Sequence, residues 1–263
     1  MYLNKLYEFA VDALSDVGRV IVVGDIHGDY ESFRKACSLF DEKNDYLIFL
    51  GDYADRGSMG VEVIEGVLAL VEKYPSRVIA LKGNHEDYTV DGQPKFMPCT
   101  LMLEVNEKRG SWRTYFQSEL QSFLSKLYLA ALVPSQVLFV HGGVSRNVRG
   151  ITDLRFPSQH VASDLLWSDP FEGVGEHLNL RGAGVEFGKD VSKKVCRRLG
   201  VERIVRSHQP RKARDGPCVE HDGRVITIGS TRVYGGKPFV LTLPARDLEA
   251  AFATIKKYTV YLR

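Results

Sequence analysis

Short apolar runs recur along the chain, separated by longer segments of mixed polarity. Six of them are rich in Val, Ile, Leu and Phe, at residues 19–24, 46–51, 77–83, 137–143, 203–208 and 224–229. Continuous apolar runs of this length are typical of strands that are covered on both faces. A seventh run, at 238–244, lies in a part of the chain rich in turn residues. We therefore predict a buried central sheet.

Helical periodicity lies between several of these runs. Apolar residues recur at helical spacing in 29–40, 59–75 and 111–132, and at the N-terminus at Leu3, Leu6, Ala10 and Leu14, with Gly18 as the stop. Strands that alternate with helices predict an α/β or mixed α+β fold. No repeat or linker divides the chain, so we expect a single domain over residues 1–263.

Composition narrows the function classes. The chain has 263 residues and a net charge of +2, which is too mild to indicate a nucleic-acid partner. Its four cysteines stand far apart, so neither a disulfide framework nor a zinc knuckle is expected. No signal-peptide pattern is present, and no apolar run approaches the ~20 residues that span a bilayer. We expect a cytoplasmic protein without a membrane partner.

Polar residues follow five of the apolar runs at the points where the strands should end. Six of them are potential metal ligands: Asp25, His27, Asp52, Asn84, His141 and His208. Ligands bind at this edge of open α/β sheets, and oxygen with imidazole donors favours Mn, Fe, Zn or Mg over a thiolate-loving metal. Six ligands are too many for one catalytic ion but sufficient for two ions that share a carboxylate. Pairs of metal ions of this kind catalyse phosphoester hydrolysis.

Each of these signals is weak by itself. Gly-Asp after a strand is usually a turn, and a single histidine there is usually a hydrogen-bonded core residue. The pair Asp55 and Arg56 could likewise be a surface ion pair. Their joint occurrence, in chain order after successive strands, is what favours a metal site.

Four sequence blocks carry a resemblance to a known family. "GDIHG" (24–28), "GDYADRG" (51–57), "GNHE" (83–86) and "HGG" (141–143) resemble the signature blocks of the PPP-family serine/threonine protein phosphatases, and so do "LLWSDP", "RGAGVEFG", "SHQ" and "VYGG". The resemblance is to a compact member of the type 1/type 2A kind within the metallophosphoesterases. It implies a metallophosphoesterase fold with two mixed β-sheets in a sandwich flanked by helices.

The resemblance also implies a role for each site residue. Asp25 and His27 would hold a first divalent metal, Asp52 would bridge, and Asn84, His141 and His208 would hold a second, with Mn expected and Fe, Zn or Mg possible. A hydroxide bridging the metals would attack phosphorus directly. His85 would be the general acid, oriented by Asp55. The substrate phosphate would be held by Arg56, Arg181, Asn84 and Tyr234. Glu86 and Asp87 are expected to cap a following helix.

The substrate implied is phosphoserine or phosphothreonine in phosphorylated proteins, and no docking site for regulatory subunits is evident. "GSTRVYGGK" keeps the family's tyrosine but differs around it. Basic residues at Arg232, Lys237 and 211–214 are either a solvated surface or a rim that attracts acidic substrates.

Two other functions remain open. One is a nucleotide phosphodiesterase or pyrophosphatase, such as a dinucleoside tetraphosphate hydrolase, which needs aromatic side chains that stack on bases. Tyr53, Trp167 and Tyr234 are the candidates for that role. The other is a non-catalytic phosphate-binding scaffold that retains the fold.

Overall fold

A computed structural model describes residues 5–262. The strands in chain order are β1 (Leu6–Glu8), β2 (Arg19–Val23), β3 (Asp45–Phe49), β4 (Val78–Ala80), β5 (Ala130–Val133), β6 (Val137–Val140), β7 (Asp169–Pro170), β8 (Glu176–Leu178), β9 (Val185–Phe187), β10 (Arg203–Arg206), β11 (Cys218–Glu220), β12 (Val225–Thr227), β13 (Phe239–Pro244) and β14 (Thr259–Tyr261). The helices are α1 (Tyr30–Cys37), α2 (Gly60–Lys73), α3 (Leu101–Arg109), α4 (Trp112–Tyr115), α5 (Gln121–Lys126), α6 (Ile151–Arg155), α7 (Gln159–Trp167), α8 (Lys189–Leu199) and α9 (Leu248–Ala253).

Two mixed sheets carry the fold, as expected. One has the strand order β1-β5-β6-β10-β12-β11 and the other β14-β13-β2-β3-β4. Within them β2, β3 and β4 run parallel to each other, as do β6, β10 and β12. A third sheet, β7-β9-β8, was not anticipated from the sequence. The parallel sets place several strand carboxyl ends at one edge of each sheet.

The sheets are buried on both faces, which explains the continuous apolar runs. Along β2, Val20 and Val22 join a core shared with the six-stranded sheet, whereas Ile21 and Val23 face the helices α1 and α2. The six-stranded sheet packs its other face on α6, α7 and α8. Because successive strand side chains point to opposite faces, four layers form in the order helix, sheet, sheet, helix.

Two helix predictions were wrong in part. The N-terminal segment forms no helix between residues 5 and 18, since Leu6–Glu8 pairs in parallel with β5; Leu3 lies outside the described residues. The predicted helix over 111–132 is helical as far as Lys126 and then becomes β5. In both places strand pairing overrides the local apolar periodicity. None of the described helices is long and apolar enough to cross a membrane.

The contact between the two sheets yields a stability prediction. Phe139 on β6 is fully buried in the shared core. Phe139→Ala should lower the free energy of unfolding by about 3–5 kcal/mol, because it removes buried contacts and leaves a cavity. Leu103→Ala is the control, since Leu103 is 71% exposed and should change stability by less than about 0.5 kcal/mol. Equal midpoints for the two variants in denaturant titrations would contradict the sandwich core.

Candidate metal centre and active site

The six potential ligands meet where the strands of both large sheets end. Asp25 and His27 follow β2, Asp52 follows β3, Asn84 follows β4, His141 follows β6 and His208 follows β10. All six side chains are buried. A bridge between Asp25 and Gly229 joins the end of β2 to the end of β12, so it fastens one sheet to the other beside the cluster. The structure therefore brings together all six residues that the sequence predicts as ligands.

The loops that carry these residues adopt unusual backbone conformations. Five of the eight non-glycine residues with positive φ in the described chain lie here: His27 (50°), Asp52 (57°), Asp55 (66°), Arg56 (70°) and His208 (66°). Such conformations cost energy outside glycine and collect at functional sites. Gly51 also allows a close approach, because a Cβ there would lie 2.4 Å from the Gly83 nitrogen.

Asp52 stands between two groups of donors. Its Oδ2 lies 3.4 Å from Nε2 of His27, and its Oδ1 lies 3.4 Å from Nε2 of His141. Two sets of donor atoms each fall within 4.8 Å: His27 with Asp52 and His85, and Asp52 with His141 and His208. Asn84 lies beside the second set, with its Oδ1 3.1 Å from Nε2 of His141.

Backbone carbonyls orient two of the imidazoles. Nδ1 of His27 lies 3.0 Å from the carbonyl oxygen of Ala54, and Nδ1 of His141 lies 2.9 Å from that of Leu50. A ligating histidine is typically held in this way through its other ring nitrogen, which leaves Nε2 for the metal. Nδ1 of His208 is 3.2 Å from Nε2 of His141, so both rings converge on the same position.

The charges of the cluster fit divalent cations. Burial raises the pKa of the Asp25 and Asp52 carboxyls and lowers the pKa of the His27, His141 and His208 imidazoles. Oδ2 of Asp25 and Nε2 of His208 are buried without a hydrogen-bond partner among the described residues. Buried polar atoms that lack partners are costly. A cation would complete the Asp25 oxygen, and carboxylate, amide and neutral imidazole are a donor set that such ions accept.

His85 lies at the mouth of this cluster and pairs with Asp55. Its Nδ1 is 2.8 Å from Oδ2 of Asp55, and the other oxygen of Asp55 accepts a hydrogen bond from the Leu101 amide at 2.8 Å. The ring of Phe96 packs 4.6 Å from the imidazole, centroid to centroid. These contacts fix the His85 ring and leave Nε2 as the nitrogen available to the adjoining cleft, which His85 lines.

Glu86 has a structural role that differs in part from the prediction. Its carboxylate accepts hydrogen bonds from the backbone amides of Asp52, Tyr53 and Gly83. Only a short 3-10 turn, Asn84–Glu86, follows β4, and no α-helix begins before Leu101. Glu86 thus caps that turn and also holds the Asp52 loop. Asp87 forms an ion pair with Lys82 at 2.7 Å instead of capping a helix.

A cleft of about 800 Å³ opens above the cluster. Arg56 and Arg181 both line it, and so does Tyr234, whose ring is 5.4 Å from that of His27. Nε of Arg181 is 2.8 Å from Oδ2 of Asp169, while the same carboxylate binds the buried Arg206 at 3.0 Å. Arg181 is thereby held over the cleft by a pairing that reaches into the core.

The basic rim is narrower than the sequence suggested. Arg211 and Lys212 line the cleft, with the Arg211 guanidinium 5.6 Å from the centre of the Tyr234 ring. Arg232 is instead paired with Asp29 at 3.3 Å and with Glu31 at 3.1 Å. Neither Arg214 nor Lys237 lines the cleft.

Sequence reasoning missed several residues that support the site. Oγ of Ser207 donates to Oδ1 of Asp25 at 2.5 Å, and Asp169 positions Arg181. Both belong to quoted motifs, "SHQ" and "WSDP", so those motifs could have identified them. Lys95 and Phe96 line the cleft from the irregular segment between Asp87 and Leu101, where no periodicity or motif marks them.

Comparisons with known proteins agree with this geometry. Residues 18–212 match the family model for calcineurin-like phosphoesterases. A serine/threonine-protein phosphatase of Caenorhabditis elegans is 36% identical over 88% of this chain and 51% of its own length. Serine/threonine-protein phosphatase PP1-delta of the same organism is 33% identical over 83% of this chain and 72% of its own length. The chain thus spans about half of the first relative and most of the second.

A solved structure shows the same fold. A serine/threonine phosphatase from Saccharomyces cerevisiae with similarity to human phosphatase PP5 superposes with a TM-score of 0.74 at 24% identity, over 92% of this chain and 77% of its own. This protein belongs to the calcineurin-like phosphoesterase family, in its serine/threonine-protein phosphatase branch.

Proposed function

We propose that residues 1–263 act as one catalytic domain, a metal-dependent phosphoprotein phosphatase that hydrolyses phosphoserine and phosphothreonine. The observation that carries the proposal is the position of Asp52 between two donor groups, directly beneath a cleft lined by Arg56 and Arg181. The names of the relatives support the substrate class.

The proposed ligands are the six buried residues at the strand ends. Asp25 and His27 would hold one divalent cation, Asn84, His141 and His208 would hold the other, and Asp52 would contribute to both. Bound cations of this kind lower the pKa of water toward neutrality and offset negative charge on phosphate oxygens. Mn²⁺ is the proposed occupant, because oxygen and imidazole donors accept it. A cytoplasmic location is part of the proposal, since all four cysteines are free thiols.

The remaining residues act on the substrate. Arg56 and Arg181 bind the phosphoryl oxygens through paired N–H donors. Asn84 and Tyr234, which also line the cleft, complete the phosphate site. His85 holds a proton at Nε2 for the departing serine or threonine oxygen, because an alkoxide is a poor leaving group. Asp55 keeps the His85 ring in the orientation that the 2.8 Å contact defines.

The nucleotide alternative has less support in this cleft. Tyr53 is fully buried, with its hydroxyl bonded to the Leu81 carbonyl oxygen, so it cannot stack on a base. Trp167 and Tyr234 do line the cleft.

A phosphate-release assay on Mn²⁺-loaded protein should show turnover of phosphoserine and phosphothreonine peptides. Faster turnover of diadenosine tetraphosphate would favour the nucleotide hydrolase, and no turnover of either with metal bound would favour the scaffold.

The His85 role predicts a separation of catalysis from metal binding. His85→Asn should lower kcat for a phosphothreonine peptide by about 10²–10⁴-fold, because general acid catalysis contributes on that order. The metal content per chain should not change. Metal analysis after dialysis and steady-state kinetics measure the two quantities.

His160→Asn is the matched control, because His160 is exposed near the start of α7. Loss of one metal equivalent in His85→Asn would contradict the acid role. It would instead indicate that His85 is a metal ligand. The proximity of His85 to His27 and Asp52 allows that role.

The shared position of Asp52 predicts a distinctive stoichiometry. Asp52→Asn should weaken the binding of both ions by at least about 100-fold, whereas His208→Ala should weaken only one. Asp12→Asn makes the same chemical change at an exposed position and should retain two ions. Titration calorimetry with Mn²⁺ reports the number of sites independently of activity. One site of unchanged affinity in Asp52→Asn would show that Asp52 does not bridge.

A further inference from the structure

A second groove adjoins the catalytic cleft and has no role in the chemistry described above. It has a volume of about 620 Å³. Its lining comes from the loop after β10, from β11 and from the C-terminal segment that ends in β14: Arg211, Lys212, Arg214, Asp215, Gly216, Pro217, Cys218, Lys256, Thr259 and Tyr261. We call it the basic groove.

The basic groove borders the cleft. Arg211 and Lys212 line both, so the two cavities lie on either side of these residues. At the junction the Arg211 guanidinium lies over the ring of Tyr234, with 5.6 Å between them. The groove is therefore the neighbouring surface for a ligand whose phosphate is held beside the metal cluster.

The lining of the groove is strongly cationic. Four of its residues are Arg or Lys, and one, Asp215, is acidic. Lys212 is engaged by Glu220 at 2.7 Å, and Arg214 is 3.6 Å from Asp215 in an exposed pair. Neither Arg211 nor Lys256 has a carboxylate partner within the described chain, and both are exposed. The groove thus presents positive charge that the protein itself does not neutralise.

The floor of the groove is fixed by the fold. The Tyr261 hydroxyl donates to the backbone carbonyl of Asp215 at 2.9 Å, which ties the loop after β10 to β14. The Lys237 amide donates to the Arg214 carbonyl at 2.9 Å and holds the same loop from the other side. The loop that carries Arg211, Lys212 and Arg214 is therefore held at two adjacent carbonyls, those of Arg214 and Asp215.

From this adjacency and charge we propose that the basic groove is a subsite for an acidic segment of the phosphoprotein substrate, lying beside the residue that is dephosphorylated. This inference rests on the proposed phosphatase function. The subsite selects substrates that carry Glu, Asp or a second phosphorylated residue near the target. Charge complementarity at an exposed rim acts mainly through association, and salt weakens it.

The test compares two phosphothreonine peptides that differ only in their flanks, one with Glu and one with Gln on either side of the target. The Glu peptide should have a kcat/KM about 3- to 10-fold higher at low salt, since two exposed charge pairs are worth about this factor. Arg214→Ala combined with Lys256→Ala should abolish that advantage. Turnover of the Gln peptide and of p-nitrophenyl phosphate should not change.

A matched control removes the same two charge types elsewhere. Lys193→Ala with Arg197→Ala replaces two exposed residues of α8 that line neither the cleft nor the groove. Retention of the Glu advantage in the groove variant would overturn the proposal. Equal loss in both variants would also overturn it, because it would assign the effect to net charge.

Failure of the proposed function can be distinguished from failure of the groove. If neither peptide is hydrolysed, the phosphatase proposal fails. Fluorescence anisotropy then measures the binding of a labelled Glu-flanked phosphopeptide to the metal-loaded protein. This measurement tests whether the groove binds acidic flanks. Tighter binding than the Gln-flanked peptide, lost only in the groove variant, would support the subsite, and equal binding would overturn it.

Discussion

The rest of the structure depends on the burial of the Asp52 carboxylate between two groups of potential metal ligands. This carboxylate lies within 3.4 Å of two imidazoles and is almost fully removed from solvent. Its backbone, at a φ of 57°, is held through the Asp52 and Tyr53 amides by Glu86. A buried carboxylate is costly without a counter-charge, so the surrounding residues must supply partners or cations.

The sandwich provides the rigidity that this arrangement needs. Positive φ at five site residues stores strain, and strained loops persist only when their surroundings over-determine them. Here each loop leaves a strand whose residues are buried on both faces, and the bridge from Asp25 to Gly229 joins the two sheets at the cluster. Packing between the sheets therefore fixes the relative positions of ligands that come from both.

A chain of charges extends from the core to the mouth of the cleft. Buried Arg206 pairs with Asp169, which also holds Arg181 at the surface of the cleft. Arg206 adjoins Ser207, the hydrogen-bond donor to Asp25, so one short segment of the chain supports both Asp25 and, through Asp169, Arg181. The cleft shares Arg211 and Lys212 with the basic groove, which extends the positively charged surface beyond the candidate metal centre.

Sequence alone determined the elements whose signals are local. The apolar runs identified the main strands because these are buried on both faces, and the polar residues after them identified all six potential ligands together with His85 and Asp55. Local periodicity failed at Leu6 and at Ala130, because strand pairing with distant residues decided their conformation. Only the tertiary structure decided that Asp169 pairs with both Arg181 and Arg206, and that Glu86 accepts a hydrogen bond from the Asp52 amide. It also decided that Phe96 packs on His85 and that Arg214 and Lys256 line the same groove. Each of these joins residues far apart in the chain or in segments without a pattern, and only the packing of the two sheets brings them together.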